Sequence, residues 1–206
     1  MIDEWLEETV KPLMAGMIRS FRYADDLVIC CQYNKDAIKI KNVLGKRLAK
    51  YKLKLNEDKT KMVNFSKKKA RQGAKQETFD FLGFTFYLGK SKHGYITPML
   101  KTSSRRYRAK LKRVNEWARQ VRNKYALKEI WKTFCLKIRG HTQYYGVSFN
   151  YSRVAKFLYE SKRIMFKWLN RRSQHKSFSW DKFQLFTERF PLPAIKIHHK
   201  LFGGKV

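Results

Sequence analysis

The sequence predicts an α+β fold: a β-hairpin, a helix and further strands, followed by a basic helical bundle. Three observations carry this. Residues 18–23 alternate polar and apolar side chains, and residues 27–31 run apolar, on either side of the acidic pair Asp25-Asp26, as two antiparallel strands and their turn do. From Tyr107 onward apolar residues return every three or four positions, the helical period. Charge also divides at Pro98. Residues 1–98 hold 20 Lys+Arg against 11 Asp+Glu, and residues 99–206 hold 27 against 5. The expected organisation is a mixed domain over 1–98 and a basic helical domain over 99–206.

Each element has its own signal. Residues 3–14 form a short helix with Trp5, Leu6 and Val10 on one side. The hairpin follows over 18–31. Ile40, Leu44, Leu48 and Tyr51 place a helix over 35–51. Residues 62–65 read as a strand, and residues 67–75, dense in lysine, as an exposed basic loop. Residues 81–88 and 94–97 read as two strands around a Gly-Lys-Ser-Lys-His-Gly turn. After Pro98, Tyr107, Leu111, Val114, Ala118, Val121 and Tyr125 mark one helix. A second covers 127–146 with an expected interruption at Gly140. Val154, Phe157, Leu158, Ile164, Met165, Trp168 and Leu169 mark a third.

Composition narrows the class. The 206 residues include 15 Phe, 11 Tyr and 5 Trp, too many aromatics for a disordered chain and enough to build a core. The net charge of +31 repels itself unless a polyanion neutralises it, which points to nucleic acid ahead of an anionic membrane. No apolar run approaches the roughly 20 residues of a membrane span. Asp3, Glu4, Glu7 and Glu8 give an N-terminus opposite in charge to a signal or transit peptide. Three cysteines, two of them adjacent, make neither a disulfide framework nor a zinc site. A reducing compartment is expected: cytoplasm of bacterial type, or an organelle interior.

Tyr23-Ala24-Asp25-Asp26 is the sharpest feature. Two adjacent carboxylates at a hairpin tip repel each other, and a bound divalent cation relieves that repulsion. A solvated turn is the plainer alternative. Phosphoryl transfer with two magnesium ions uses carboxylates of this kind. The segment Phe21-Arg22-Tyr23-Ala24-Asp25-Asp26-Leu27-Val28-Ile29 resembles the catalytic palm hairpin of reverse transcriptases, in the form used by group II intron-encoded proteins. Leu53-Lys54-Leu55-Asn56-Glu57-Asp58-Lys59-Thr60-Lys61 is similar to the next family motif, where a helix turns into a strand near the incoming nucleotide, and Phe81-Leu82-Gly83-Phe84 to the primer-grip hairpin after it. Ile138-Arg139-Gly140-His141, Tyr144-Tyr145-Gly146, Trp168-Leu169-Asn170-Arg171-Arg172 and Ser179-Trp180 resemble the thumb, or maturase, region.

The resemblance implies a partial polymerase palm over 1–98 and a thumb over 99–206, with RNA-directed DNA synthesis as the parent activity. It implies Mg2+ on Asp25 and Asp26. Tyr23 and Lys59 would lie near the nucleotide, although Lys59 also reads as an ordinary surface lysine. Leu82 and Gly83 would lie near the primer, through backbone. Phosphate contacts are expected from Arg105, Arg106, Arg108, Lys112, Arg113, Arg139, Arg171 and Arg172. Tyr144 and Tyr145 read as core aromatics or as a stacking surface for a base. The expected partners are RNA, as intron or template, primer DNA, and a second polypeptide supplying fingers and palm; no membrane is expected.

The sequence also departs from the family. A third palm carboxylate normally comes from a strand well upstream, and only 24 residues precede Asp25. The expectation is therefore a C-terminal portion of such an enzyme, from a truncated gene, an internal start or a split protein, without polymerase activity by itself. A non-catalytic RNA-binding maturase module and a degenerate remnant are the alternatives.

Overall fold

The computed structural model describes residues 2–172 and 179–201. It is an α+β protein of two compact units: Met1–Phe81 with Lys90–Thr97, and Leu82–Gly89 with Pro98–Val206.

The first unit opens with a helical stretch that changes pitch along its length. Ile2–Glu4 (α1) is α-helical, Trp5–Val10 is a π-helical turn and Lys11–Leu13 is a 3-10 turn. The Lys11 N–H reaches back five residues to the Leu6 carbonyl, and Pro12, which has no N–H, ends the helix within a turn. Strands β1 (Ile18–Tyr23) and β2 (Asp26–Cys31) pair antiparallel, with Ile18 opposite Cys31 and Tyr23 opposite Asp26. Helix α2 (Asn34–Ala49) buries Ile40, Leu44 and Leu48, four residues apart. Leu6, Val10, Ile18 and Ile40 form the buried core of this unit, with Ile29 and Cys31 packed against it.

Asp36, in the first turn of α2, is fully buried and accepts hydrogen bonds from the Gly16 N–H at 3.0 Å and the Ala15 N–H at 3.4 Å. It ties the loop before β1 to α2. An acidic residue near a helix start reads from sequence as an ordinary dipole partner, so this role was not legible there.

Three expectations for this unit are corrected. Residues 62–65 form no strand: the Asn64 N–H donates to the Glu77 carboxylate at 2.8 Å in place of a ladder partner, and Phe65 packs on Phe79, ring centroids 5.6 Å apart. The basic loop contains a five-residue helix, α3 (Lys67–Arg71), because Ser66 caps it by accepting from the Lys69 N–H. The chain after α2 forms a turn around Asn56, whose carbonyl accepts from Lys59 and Thr60, with no helix-to-strand passage.

Strands β3 (Phe79–Phe81), β4 (Phe84–Lys90) and β5 (Ile96–Thr102) make a three-stranded sheet in that order. The expected single strand over 81–88 is thus two strands joined by Leu82-Gly83. The last strand runs on through Pro98, which an edge strand tolerates because one side of it needs no ladder hydrogen bonds.

In the second unit, α4 (Ser104–Val121), α5 (Leu127–Tyr145), α6 (Tyr151–Leu169) and α7 (Trp180–Arg189) form the helical part. Ser103 caps α4 by accepting from the Arg106 N–H, and Ser179 caps α7 by accepting from the Lys182 N–H. Helix α5 runs unbroken through Gly140, because one exposed glycine costs a helix only about 1 kcal/mol and eighteen other residues support it. The core joins Tyr107 and Ala118 of α4, Ile130, Trp131, Phe134 and Ile138 of α5, Phe157, Met165 and Leu169 of α6, and Phe183 of α7. Burial of each large apolar side chain stabilises the unit by about 1.5–3 kcal/mol. The Trp131 indole N–H donates to the Phe190 carbonyl at 2.9 Å, holding the end of α7.

Asn150 is the polar node of this unit. It is fully buried. Its Oδ1 accepts from the Thr102 N–H at 2.8 Å, and its Nδ2 donates to the Tyr145 carbonyl at 2.8 Å and the Thr102 hydroxyl at 2.9 Å. One side chain thereby joins β5, α5 and the start of α6.

Candidate functional site

The acidic hairpin tip belongs to the first unit. Tyr23 and Asp26 are the closing pair of β1 and β2, and Ala24-Asp25 is the two-residue loop. Ala24 has a φ of 53°, in the left-handed region where an L-residue costs about 1–2 kcal/mol. Strained positions of this kind persist where surrounding structure holds them and gather at functional sites. Tyr23, Asp25 and Asp26 are all exposed, so the two carboxylates are open to a cation.

Arg22, one residue before this tip, is held by Asp3. Its Nε donates to Oδ1 at 3.0 Å and to Oδ2 at 2.8 Å, and its Nη2 lies 2.6 Å from Oδ2. This fork holds the Asp3 carboxyl below the ordinary carboxylate range and the guanidinium above its own. Glu7 pairs with Lys11. Asp3 and Glu7 are therefore engaged elsewhere, and among the described residues no three His, Cys, Asp or Glu side chains gather as a metal cluster.

Asp25 and Asp26 nonetheless fit magnesium by chemistry. Mg2+ takes hard oxygen ligands and is commonly held by one or two carboxylates, its other positions going to water and substrate phosphate. Lys59 is exposed in the turn after α2, and its N–H donates to the Asn56 side chain at 3.1 Å.

The second unit holds the other expected residues. Leu82 and Gly83 have φ of 49° and 80°, the paired left-handed residues of a tight hairpin turn. The Leu82 carbonyl accepts from the Tyr144 hydroxyl at 2.8 Å, and the Gly83 carbonyl from the Ser103 N–H at 3.0 Å. Both carbonyls of the turn are therefore in use within the unit. A Cβ on Gly83 would approach the Tyr145 hydroxyl to 3.0 Å, so a larger residue is opposed by space as well as by φ. Tyr145 is buried on Phe84, ring centroids 5.1 Å apart, with the Lys110 ammonium 4.9 Å above it. Tyr144 is half-exposed and stacks on Phe84 at 5.8 Å. One tyrosine is core; the other clamps the turn while keeping a solvent face.

Arg105, Arg106, Arg108, Lys112 and Arg113 are exposed on α4, and Arg139 is exposed on α5. Lys112 has Glu116 3.8 Å away. Arg171 is exposed, whereas Arg172 is half-buried and donates through Nη2 to the Tyr125 carbonyl at 3.1 Å, a structural role. Burial first, then the charges of Arg113 and Arg106, lowers the Lys110 pKa. The backbone N–H groups of His198 and His199 both donate to the Gly146 carbonyl, and the His199 carbonyl accepts from the Ser148 N–H. Gly146 leaves no room for a side chain against this returning strand, because a Cβ there would overlap the Lys196 carbonyl.

The sequence reading missed a ring of cations on aromatics. The Trp168 indole has Arg122 at 5.0 Å, Lys167 at 5.2 Å and Arg171 at 5.4 Å, and it donates to the Asn115 side chain at 2.8 Å. Arg163 lies 5.8 Å from the Tyr159 ring. Helical spacing of Arg163, Lys167 and Arg171 was the available signal.

Residues 1–86 match the family of reverse transcriptases (RNA-dependent DNA polymerases). The acidic hairpin, α2, the Lys59 turn and the Leu82-Gly83 turn all fall inside the match, which supports a reverse-transcriptase-like polymerase segment over these residues. No curated protein and no solved structure matches the chain. Among the described residues no helix is long and apolar enough to cross a membrane.

Proposed function

We propose that the chain is part of a reverse transcriptase of group II intron type, in which the first unit carries the acidic palm hairpin and the second is a thumb or maturase-like module that binds RNA or primer–template. The observation that carries this reading is the exposed Asp25-Asp26 pair at a strained hairpin tip, inside the segment that matches reverse transcriptases. In the reaction a primer 3′-hydroxyl attacks the α-phosphate of a nucleotide and pyrophosphate leaves. Bound magnesium would neutralise the phosphate charge. Asp25 and Asp26 would hold the metal, Tyr23 would lie under the nucleotide, and the exposed arginines and lysines of α4 and α5 would hold the phosphate backbone.

Because the described residues offer only two carboxylates at the tip, weak metal binding and no independent polymerase activity are expected of this chain alone. Manganese, followed by the broadening of nuclear magnetic resonance signals from Tyr23 to Leu27, tests the first point without an activity assay. The wild type should show local broadening that magnesium competes away, and the Asp25→Asn/Asp26→Asn variant should show none. Broadening that survives the double variant would place the metal elsewhere and remove the observation on which the reading stands.

A second reading is favoured by the 27 Lys+Arg against 5 Asp+Glu in residues 99–206. In it the chain is a non-catalytic RNA-binding module that assists an intron RNA to fold and splice. RNA affinity of the same double variant separates the two: unchanged or raised affinity fits the module, because two repelling charges are gone, and a clear loss speaks for a site shared with the hairpin.

A further inference from the structure

The two basic surfaces of the second unit differ in texture. On α4, Arg105, Arg108, Lys112 and Arg113 are exposed, and none of these four lies over an aromatic ring among the described residues, although Lys110 on the same helix lies over Tyr145. Apart from Glu116, 3.8 Å from Lys112, such a surface offers cations suited to phosphate. On α6, Tyr159, Arg163 and Lys167 stand four residues apart, with Arg171 four further on, just beyond the helix end. Four residues of helix advance about 6 Å, so these side chains form one row along the helix. Tyr159 is 57 % exposed, with the Arg163 guanidinium against its ring. Beside the row lies a groove of about 670 Å³, lined by Arg163, Ile164, Phe166, Lys167, Asn170 and Arg171, with Glu160 at one side. The charge of Glu160 is partly met by Lys156, 3.9 Å away. None of Arg163, Lys167 and Arg171 has a carboxylate partner among the described residues.

A duplex cannot use this combination well. Its bases are stacked inside and it presents phosphate and sugar edges to the protein. An unpaired nucleotide brings both a phosphate for the cations and a flat apolar face for an exposed ring or an apolar wall. Ile164 and Phe166 supply the wall, Tyr159 the ring, and the row of three cations the track for the backbone. Asn170 also lines the groove, with its Oδ1 buried and without a hydrogen-bond partner.

We infer that the α6 face, from Tyr159 to Arg171, is a binding site for single-stranded nucleic acid, separate from the mainly cationic surface of α4. The inference rests on the reading of the second unit as a nucleic-acid-binding module. It adds which strand geometry goes to which face: unpaired segments to α6, duplex backbone to α4.

The test is fluorescence anisotropy on the full chain with three labelled probes: an oligouridine of about 12 nucleotides, an abasic strand of the same length, and an RNA hairpin duplex. The variants are Tyr159→Ala, Arg163→Ala/Lys167→Ala and, on the other face, Lys112→Ala/Arg113→Ala, each checked for an unchanged thermal transition. Base stacking contributes about 1–3 kcal/mol per base, so Tyr159→Ala should weaken oligouridine binding by about tenfold while duplex affinity stays within about twofold. The abasic strand should bind the wild type as weakly as oligouridine binds Tyr159→Ala. Lys112→Ala/Arg113→Ala should show the reverse preference. If Tyr159→Ala leaves oligouridine binding intact, or if every variant weakens every probe alike, the α6 site is wrong and only a diffuse cationic surface is left. If the wild type binds none of the probes at 50 mM salt, the nucleic-acid reading of the unit falls together with it.

Discussion

Asn150 shows how much of the second unit hangs on one side chain. It serves three buried partners at once: the Thr102 N–H, the Thr102 hydroxyl and the Tyr145 carbonyl. Removing it strands the Thr102 N–H and hydroxyl where water does not reach, while the Tyr145 carbonyl keeps the Val147 N–H at 2.8 Å, and each stranded group costs about 1–3 kcal/mol. Asn150→Ala should therefore lower unfolding free energy by about 3 kcal/mol, read as a fall in urea midpoint at unchanged slope. Asn150→Asp should not rescue it, because a carboxylate oxygen then faces the Tyr145 carbonyl that Nδ2 now satisfies. A midpoint within experimental scatter of the wild type in Asn150→Ala would show that the node is dispensable. Nothing in the sequence marks this residue: an asparagine after Ser148-Phe149 reads as a turn, and its partners lie 48 and 5 positions away. Asp25 and Asp26 were legible for the opposite reason. Their position at the hairpin tip is set locally, since the apolar runs on either side define the hairpin.

At the scale of elements, α5 carries an acid-sensitive joint. His141 is buried, stacked on Phe157 at 3.7 Å, with Tyr145 at 4.7 Å, and neither ring nitrogen has a hydrogen-bond partner. Burial first, and the nearby Lys110 charge second, pull its pKa down to about 3 from 6.5. The folded state thus keeps His141 neutral where the unfolded chain would protonate it. Stability contributed by the neutral ring is complete above about pH 6.5 and is lost as pH falls toward 3, at up to about 1.4 kcal/mol per pH unit. Urea midpoints at pH 7, 5.5 and 4 should fall more steeply for the wild type than for His141→Leu, which has no proton to take up; parallel curves would show that the ring reaches solvent. The helices around this joint were legible because their apolar stripes persist for four or five turns. The elements misread were short and decided by non-periodic contacts. The strand expected over 62–65 fails for lack of a ladder partner, and α3 exists by virtue of one serine cap. Helix α7 carries its signal in Ser179 and the spacing of Trp180, Phe183 and Phe186, but it is only ten residues long.

For the whole molecule the deciding quantity is a net charge of +31, of which residues 99–206 carry +22 (27 − 5). With 47 Lys+Arg against 16 Asp+Glu, most of these cations have no carboxylate of their own; ion pairs among the described residues include Lys11–Glu7, Arg22–Asp3, Lys112–Glu116 and Lys156–Glu160. Exposed pairs of this kind contribute little, so the free chain holds together against its own repulsion. The same repulsion is what a polyanion removes. Salt should therefore act in opposite directions on folding and on binding. Screening shortens the reach of each charge, from about 10 Å at 0.1 M to about 3 Å at 1 M, and so should raise the thermal midpoint of the free chain. Over a narrower range, 50 to 200 mM, a nucleic acid held by several phosphate contacts should lose about 10³-fold in affinity as counterions compete for the same cations. Two titrations with one salt measure both slopes. A rising midpoint with falling affinity means that the basic surface is tolerated in the free protein for the sake of its partner. A flat affinity would mean that contact is not led by phosphate, and the roles given above to the cations of α4 and α6 would both have to be withdrawn, while the acidic hairpin would keep its own.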